Sequence, residues 1–185
     1  MIDFGFGATL RPFDSPMAGI ARLWRNEPKI RKWCRQQDLI SDQAQAEWYE
    51  RQEKDPSVRM YGIADSDNLN APAGVCGLTS IDWINRRAEF SLYIAPMSQG
   101  AGLGKKALQT LLSHGFENLG LHQIWGESFD KNPAMKTFDA LGFSRDGVRP
   151  QFYFRDGKFV DAHLFSMLAS DWREKCSKKS PLLSA

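Results

Sequence analysis

A glycine-rich turn, Gln99-Gly100-Ala101-Gly102-Leu103-Gly104, is the feature that most constrains this chain, and Lys105 and Lys106 follow it. The apolar residues at 88–94 before the turn predict a strand, and the apolar spacing after the turn predicts a helix. Free backbone N–H groups and the helix dipole place positive charge at the start of such a helix. The turn is therefore predicted to bind an anion, whose oxygens the glycines allow to come close.

An ordinary strand-to-helix turn with surface lysines is the alternative. Two phosphate-binding motifs fail on spacing. The dinucleotide fingerprint needs G-x-G-x-x-G, whereas the glycines here follow G-x-G-x-G. In a Walker loop, Gln99 would have to be Gly and Lys106 would have to be Ser or Thr. A nucleotide-binding switch protein requires a Walker loop, and this chain lacks one.

Composition places the 185 residues, of which 25% are charged, among ordinary globular proteins. We expect one domain over residues 1–170 and a flexible basic tail over 171–185. A net charge of +2 does not predict a nucleic-acid surface, and no apolar run is long enough for a membrane span. Three cysteines without C-x-x-C spacing predict a reducing cytoplasm, and the scattered histidines predict no metal site.

Hydrophobic periodicity predicts the element order β-αα-βββ-α-β-α-ββ. Pro28 and residues 38–42 interrupt the helical region between 16 and 55. Asn132-Pro133 predicts the start of the last helix, and Gly142 predicts its end. The predicted strands are residues 9–13, 58–64, 74–81, 88–94, 123–129, 148–154 and 159–167.

Gln99, Gly102 and Gly104 fit the acyl-CoA loop pattern (Gln or Arg)-x-x-Gly-x-(Gly or Ala). With the element order, this resembles the GNAT acetyltransferase superfamily over residues 9–169. The resemblance implies an α/β fold with a mixed, largely antiparallel seven-stranded sheet, flanked by helices and splayed between the fourth and fifth strands. It implies acetyl-CoA as cosubstrate. The implied coenzyme A contacts are Leu92, Tyr93, Ile94, Gln99, Gly100, Ala101, Gly102, Leu103, Gly104, Lys105, Asn132 and Phe138.

Different segments of the chain touch three branches of the superfamily, the spermidine, ribosomal-protein N-terminal and nucleotide amino-sugar acetyltransferases, and no branch is matched throughout. Residues 85–90 resemble the spermidine acetyltransferases, and Trp24-Arg25-Asn26 resembles enzymes that acetylate nucleotide-linked amino sugars. The last helix departs from its relatives: Phe138 replaces the usual acid Tyr, and Met135 replaces the Ser of ribosomal-protein acetyltransferases. We therefore expect no side-chain acid from this helix. Asn132 is one residue closer to Gly142 than in the family, so a simple N-cap is its alternative role.

Glu89 is the predicted catalytic base. It shares the polar face of strand 88–94 with Ser91 and Tyr93, which indicates either a lined cavity or a half-exposed strand. A primary amine has a pKa near 10 and attacks only as the free base, so a carboxylate must accept its proton. Glu127 is the second candidate, with a surface salt bridge as its alternative. Tyr153 is a distant candidate acid, with a structural aromatic role as its alternative.

These residues predict an N-acetyltransferase that acts by direct attack of a small primary amine, a polyamine or an amino sugar. The alternatives are a protein N-terminal acetyltransferase and a non-catalytic acyl-CoA-binding module. Trp24, Arg25 and Asn26 are expected either to contact the acceptor or to pack in the core, and Tyr153 is also placed on the acceptor side. The Phe-rich hairpin at 152–165 offers a surface for a homodimer.

Overall fold

The computed structural model describes residues 1–179, and its element order is the predicted one up to the last strand, after which a further helix follows. Helix breaks fall at Pro28 and near residues 38–42, as predicted. The strands are β1 Ala8–Pro12, β2 Arg59–Asp65, β3 Asn68–Asp82, β4 Arg87–Ile94, β5 Gln123–Phe129, β6 Ser144–Arg155 and β7 Lys158–Leu168. The helices are α1 Ser15–Asn26, α2 Pro28–Arg31, α3 Asp42–Lys54, α4 Leu103–Ser113, α5 Met135–Leu141 and α6 Ala169–Lys179.

The seven strands form one sheet in the order β1-β2-β3-β4-β5-β7-β6, and only β4 and β5 run parallel. These two strands pair from Arg87 opposite Gln123 to Glu89 opposite Trp125 and then separate. The ring of Phe90 lies against Gly126, where an added Cβ would come within 2.5 Å of it. The predicted mixed sheet, splayed between its fourth and fifth strands, is confirmed.

Helix α4 supplies the centre of the core on one face of the sheet. Its apolar side chains Leu108, Leu111 and Leu112 are fully buried, and each contributes roughly 1.5–3 kcal/mol of hydrophobic stabilisation. The helix continues as a π-helical turn over His114–Asn118, and the chain then turns at Gly120, whose φ is +67°. The helical segment that follows the glycine-rich turn therefore ends at this glycine.

Several predicted boundaries were wrong. β3 begins at Asn68, so the connection between the predicted strands 58–64 and 74–81 shortens to a two-residue tip. β6 begins at Ser144 rather than Val148, because it pairs with β7 past two register shifts. α5 begins at Met135, not at Pro133. Asn132 Oδ1 accepts the Ala134 N–H at 3.0 Å and thus closes a turn ahead of the helix.

The predicted flexible tail was also wrong for residues 171–179, which lie in α6. Trp172 is buried, and its indole Nε1 donates to Ser113 Oγ at 3.1 Å, so this helix is fixed to α4. The remainder of the predicted tail lies outside the described residues. None of the helices within residues 1–179 is both long enough and apolar enough to span a bilayer.

Candidate active site

A cavity of about 900 Å³ opens where β4 and β5 part. Its walls are formed by the part of the chain that runs from α1 to α3, by β4, by the glycine-rich turn and by the start of α5. Glu89 on β4 and Glu127 and Ser128 on β5 line the part between the two strands. The separation of the parallel strands therefore creates a site that reaches across the middle of the sheet.

The glycine-rich turn forms one end of this cavity. Gly100 and Gly102 adopt φ values of +89° and +75°, a region that other residues rarely occupy. Gly102 directly precedes α4, so the N–H groups of Leu103 and Gly104 have no acceptor within the helix. Gln99 Nε2 donates to the Ile94 carbonyl at 3.0 Å and ties the turn to β4. All of the turn except Ala101, together with Lys105, lines the cavity.

The polar face of β4 forms the floor of the cavity. Glu89, Ser91 and Tyr93 all line it, as do Leu92 and Ile94. The Glu89 side chain is only 7% exposed. Burial raises the pKa of this carboxyl above its ordinary value, while the neighbouring Arg35 opposes that rise. The cavity thus holds a buried carboxylate that is more basic than an exposed glutamate.

Arg35 is the principal site residue that sequence reasoning missed. Its Nη2 lies 2.5 Å from Glu89 Oε1, and its Nε lies 3.7 Å from Glu127 Oε1. It comes from the irregular segment between α2 and α3, where no hydrophobic period or motif marks a residue. Arg155 in the β6–β7 hairpin holds this segment, since its Nη2 donates to the Arg35 carbonyl at 2.8 Å.

Glu127 lies in the predicted gap but is already engaged in a network of partners. Arg149 Nη1 lies 3.5 Å from its Oε2, and the Tyr153 hydroxyl donates to its Oε1. Burial and this hydrogen bond raise the pKa of Tyr153 to about 12. Tyr153 does not itself line the cavity. The geometry therefore favours the salt-bridge alternative for Glu127. The predicted bridge was a surface pair, whereas here the arginines reach a buried carboxylate.

The three residues predicted on the acceptor side have different roles. Arg25 lines the cavity, with its Cζ 5.9 Å from the centre of the Tyr93 ring. Trp24 packs on the apolar cluster beneath α1 and does not line the cavity. Asn26 also lies outside it and exchanges two hydrogen bonds with the Ile40 backbone, at 2.8 and 2.9 Å. The aromatic side chains that do line this region belong to Trp33 and Trp48.

The α5 side of the cavity is apolar apart from a few small polar groups. Phe138 is buried, with its ring centre 5.2 Å from those of Phe90 and Phe165, so it offers no proton donor. Ser128 is 4% exposed and lines the cavity, and its hydroxyl has no hydrogen-bond partner among residues 1–179. Asn132 also lines the cavity. An unpartnered buried hydroxyl is costly, which suggests that a bound molecule satisfies it.

Comparison with known proteins places this geometry in a family. Residues 8–144 match the Acetyltransferase (GNAT) domain. The chain is 30% identical over 128 residues to spermidine N(1)-acetyltransferase of Vibrio cholerae, covering 68% of this chain and 72% of the relative. It is 30% identical over 100 residues to the N-acetyltransferase p20 of Bacillus licheniformis, covering 54% of this chain and 56% of that relative. The match therefore spans little more than half of the Bacillus protein.

The fold has a close counterpart among solved structures. The crystal structure of spermidine N-acetyltransferase from Vibrio cholerae in complex with CoA and spermine superposes with a TM-score of 0.85. That superposition covers 90% of this chain and 98% of the other at 25% identity. The chain belongs to the GNAT acetyltransferase family, and the predicted acyltransferase class is confirmed at the level of the family.

Proposed function

We propose that this protein transfers an acetyl group from acetyl-CoA to the nitrogen of a small primary amine. The proposal depends mainly on one observation: two groups suited to the two substrates line the same cavity. An anion-binding turn with positive-φ glycines forms one end, and a buried carboxylate of raised pKa lies on the strand that leads to it. The first feature suits a phosphate-bearing donor, and the second suits an amine.

The glycine-rich turn holds the donor in this proposal. The free N–H groups of Leu103 and Gly104 donate to the pyrophosphate oxygens, and Lys105 adds positive charge beside them. Beyond Glu89, the edge of β4 that faces β5 has no strand partner among the described residues, so its backbone groups are available to the amides of the pantetheine arm. When bound, acetyl-CoA supplies a thioester carbonyl as the electrophile.

Glu89 prepares the acceptor. An ammonium group binds beside its carboxylate, passes a proton to it directly or through one water, and becomes the free base that attacks. Attack of this free base on the thioester carbonyl forms the nitrogen–carbon bond of a tetrahedral intermediate. Its collapse breaks the carbon–sulfur bond and releases the thiolate, and the second proton lost by the nitrogen passes to the thiolate or to water. Because a thiol has a pKa of about 8.5, its thiolate is a tolerable leaving group near neutral pH. The apolar ring at Phe138 therefore does not preclude turnover.

A non-catalytic module that binds acyl-CoA is the second candidate, because Phe138 and Met135 replace both of the acids that the family resemblance implies. A thiol-release assay with a panel of primary amines and an N-terminal peptide separates the candidates. Turnover of any small amine supports the enzyme, whereas turnover of the peptide alone supports a protein N-terminal acetyltransferase. Coenzyme A binding by calorimetry with no turnover supports the module, and no binding at all contradicts both.

We further propose a homodimer formed through the β6–β7 hairpin. Phe152, Phe154 and Phe159 are each more than half exposed there, and the ring centres of Phe154 and Phe159 lie 5.1 Å apart. Exposed apolar surface of this kind is typical of an interface. Analytical ultracentrifugation of the wild type and of Phe154→Ser tests this. A monomeric wild type would contradict the proposal.

A further inference from the structure

The charges that line the cavity are unbalanced, and this concerns the kind of amine that the protein accepts. Among residues 1–179, five cationic side chains and two carboxylates line it. The cations are Arg25, Lys29, Arg35, Arg51 and Lys105, and the carboxylates are Glu89 and Glu127. Lys105 belongs to the donor end in the proposed function, and the other four cations still outnumber the two carboxylates. A polyamine carries several positive charges, which carboxylates hold best, so this lining suits a polyamine poorly.

The two carboxylates are also neutralised within the protein. Arg35 contacts both of them, and Arg149 lies 3.5 Å from Glu127. An acceptor ammonium would share Glu89 with Arg35, and residues 1–179 line the cavity with no second free carboxylate for another ammonium. The site is therefore arranged for one amine rather than for a chain of them.

In contrast to these two carboxylates, Arg25 is a cationic group that can hold an anion. It lines the cavity at the C-terminal end of α1, half-buried, with its guanidinium near the Tyr93 ring. No carboxylate of the described residues lies within 4.0 Å of it, and the same is true of Lys29 in the next helix. A partly desolvated guanidinium without a counterion is a ready site for a carboxylate or a phosphate.

The spacing between Glu89 and Tyr93, the residue beside the Arg25 guanidinium, sets the size of the acceptor. Glu89 and Tyr93 lie on the same face of β4 and are four residues apart, which corresponds to about 13 Å along a strand. An α-amino acid carries its amine and carboxylate on one carbon, and this separation is much shorter than the rise along the strand. The molecule must carry its charges several bonds apart.

We infer that the acceptor is a primary amine that bears an anionic group several bonds away, with the amine at Glu89 and the anion at Arg25 and Lys29. This inference rests on the proposed transfer to an amine and deepens it. The anion is a phosphate or a carboxylate, since both match the planar fork of an arginine.

Four probes with one carbon skeleton test the sign of the charge: 6-aminohexyl phosphate, 6-aminohexanoate, 6-aminohexanol and 1,6-diaminohexane. Binding to the CoA-loaded protein is measured by calorimetry, and turnover is measured by thiol release. We expect the two anionic probes to bind more tightly than the alcohol, and the diamine to bind most weakly. Comparison of phosphate with carboxylate then identifies the anion. Tighter binding of the diamine than of the anionic probes would overturn the inference while leaving the acetyltransferase proposal intact.

The matched variants are Arg25→Ala, Arg25→Lys and, as a control, Arg173→Ala on the exposed face of α6. Arg25→Ala should weaken binding of the favoured anionic probe roughly tenfold to a hundredfold and leave 6-aminohexanol unaffected. Arg25→Lys should recover part of that loss. Arg173→Ala should change the binding of neither the anionic probe nor 6-aminohexanol. If Arg25→Ala instead raises the KM for acetyl-CoA with probe preference unchanged, Arg25 serves the donor and the inference is wrong. Failure of the wild type to bind coenzyme A would contradict the proposed function itself.

Discussion

Arg35 Nη2 lies 2.5 Å from Glu89 Oε1, so a residue from the segment between two helices occupies the carboxylate that the proposed chemistry requires. The arginine side chain is 53% exposed and the glutamate side chain is 7% exposed. The pair therefore consists of a fixed, buried anion and a cation that can move towards solvent. An incoming ammonium can take a share of Glu89 without the protein having to bury a new charge.

Removal of Arg35 should shift the pH dependence of the reaction. Burial raises the pKa of Glu89 and Arg35 lowers it, so Arg35→Ala leaves burial unopposed by this cation. Only the deprotonated carboxylate accepts a proton, and the acidic limb of kcat/KM should therefore move to higher pH. Arg35→Lys keeps the charge and should move it less. A limb at the same pH in all three proteins would show that Glu89 does not control it.

Glu89→Gln should lower kcat roughly 10²- to 10⁴-fold, the usual contribution of a general base. It should also abolish the acidic limb, because the amide does not titrate. Glu117→Gln, at an exposed carboxylate paired with Arg173, is the control and should retain full activity. Thermal melting of both variants checks that the fold is kept. Unchanged kcat in folded Glu89→Gln would remove Glu89 from the mechanism.

Gly102→Trp should abolish the thermal shift that coenzyme A produces. Gly102 has a φ of +75° with open space around its Cα, so an indole would fill the space beside the first N–H groups of α4. Gly120→Trp is a closely matched control, because Gly120 has a φ of +67° and equally open surroundings but does not line the cavity. Both variants carry a similar backbone strain, so a difference between their ligand responses isolates the binding turn. Equal responses would contradict the assignment.

Ser128→Ala should stabilise the free protein by about 1 kcal/mol, because it removes a buried hydroxyl that has no partner among the described residues. Ser166→Ala provides the contrast. Ser166 is similarly buried, but its hydroxyl donates to Asp146 Oδ1 at 3.0 Å, so its loss should destabilise. Urea denaturation should show that the free energy of unfolding rises in Ser128→Ala and falls in Ser166→Ala. If coenzyme A uses the Ser128 hydroxyl, Ser128→Ala should also bind it more weakly than the wild type does.

His114 should make the free energy of unfolding depend on pH. Burial lowers its pKa, and its ring contacts Tyr61 Oη at 2.8 Å and Asn118 Nδ2 at 3.1 Å. The unfolded chain binds the proton first, near pH 6.5, so the stabilisation is complete above that pH and is lost as pH falls through the folded pKa. The slope should not exceed about 1.4 kcal/mol per pH unit. Denaturation between pH 5 and 7.5 should show this slope in His122→Gln but not in His114→Gln.

The order of elements could be predicted because periodic apolar residues report burial directly. The leucines of α4 and the alternation in β4 mark the same surfaces in the sequence and in the structure. Ser41 likewise accepts the Ala44 N–H at 3.1 Å and caps α3, as its position suggests. Local rules of this kind involve residues that are neighbours along the chain.

Contacts between distant segments could not be predicted in this way. Arg35 reaches Glu89 from an irregular segment, and Asn26 binds the Ile40 backbone rather than an acceptor. Trp172 anchors α6 although the surrounding composition is basic and polar. In each case the partner lies far along the chain, and no periodic signal relates the two positions. A lone tryptophan in a polar segment was the one available indication of burial.

The early parting of β4 from β5 has a consequence for how such a protein can diverge. Beyond Glu89, no strand within residues 1–179 pairs with the edge of β4 that faces β5, so a bound molecule with amide groups can complete this edge as a further strand would. Recognition by the main chain depends on strand geometry and not on which side chains the strand carries. Substitutions that preserve this geometry can then remodel the acceptor pocket independently, so one backbone frame can serve a succession of chemically unlike substrates.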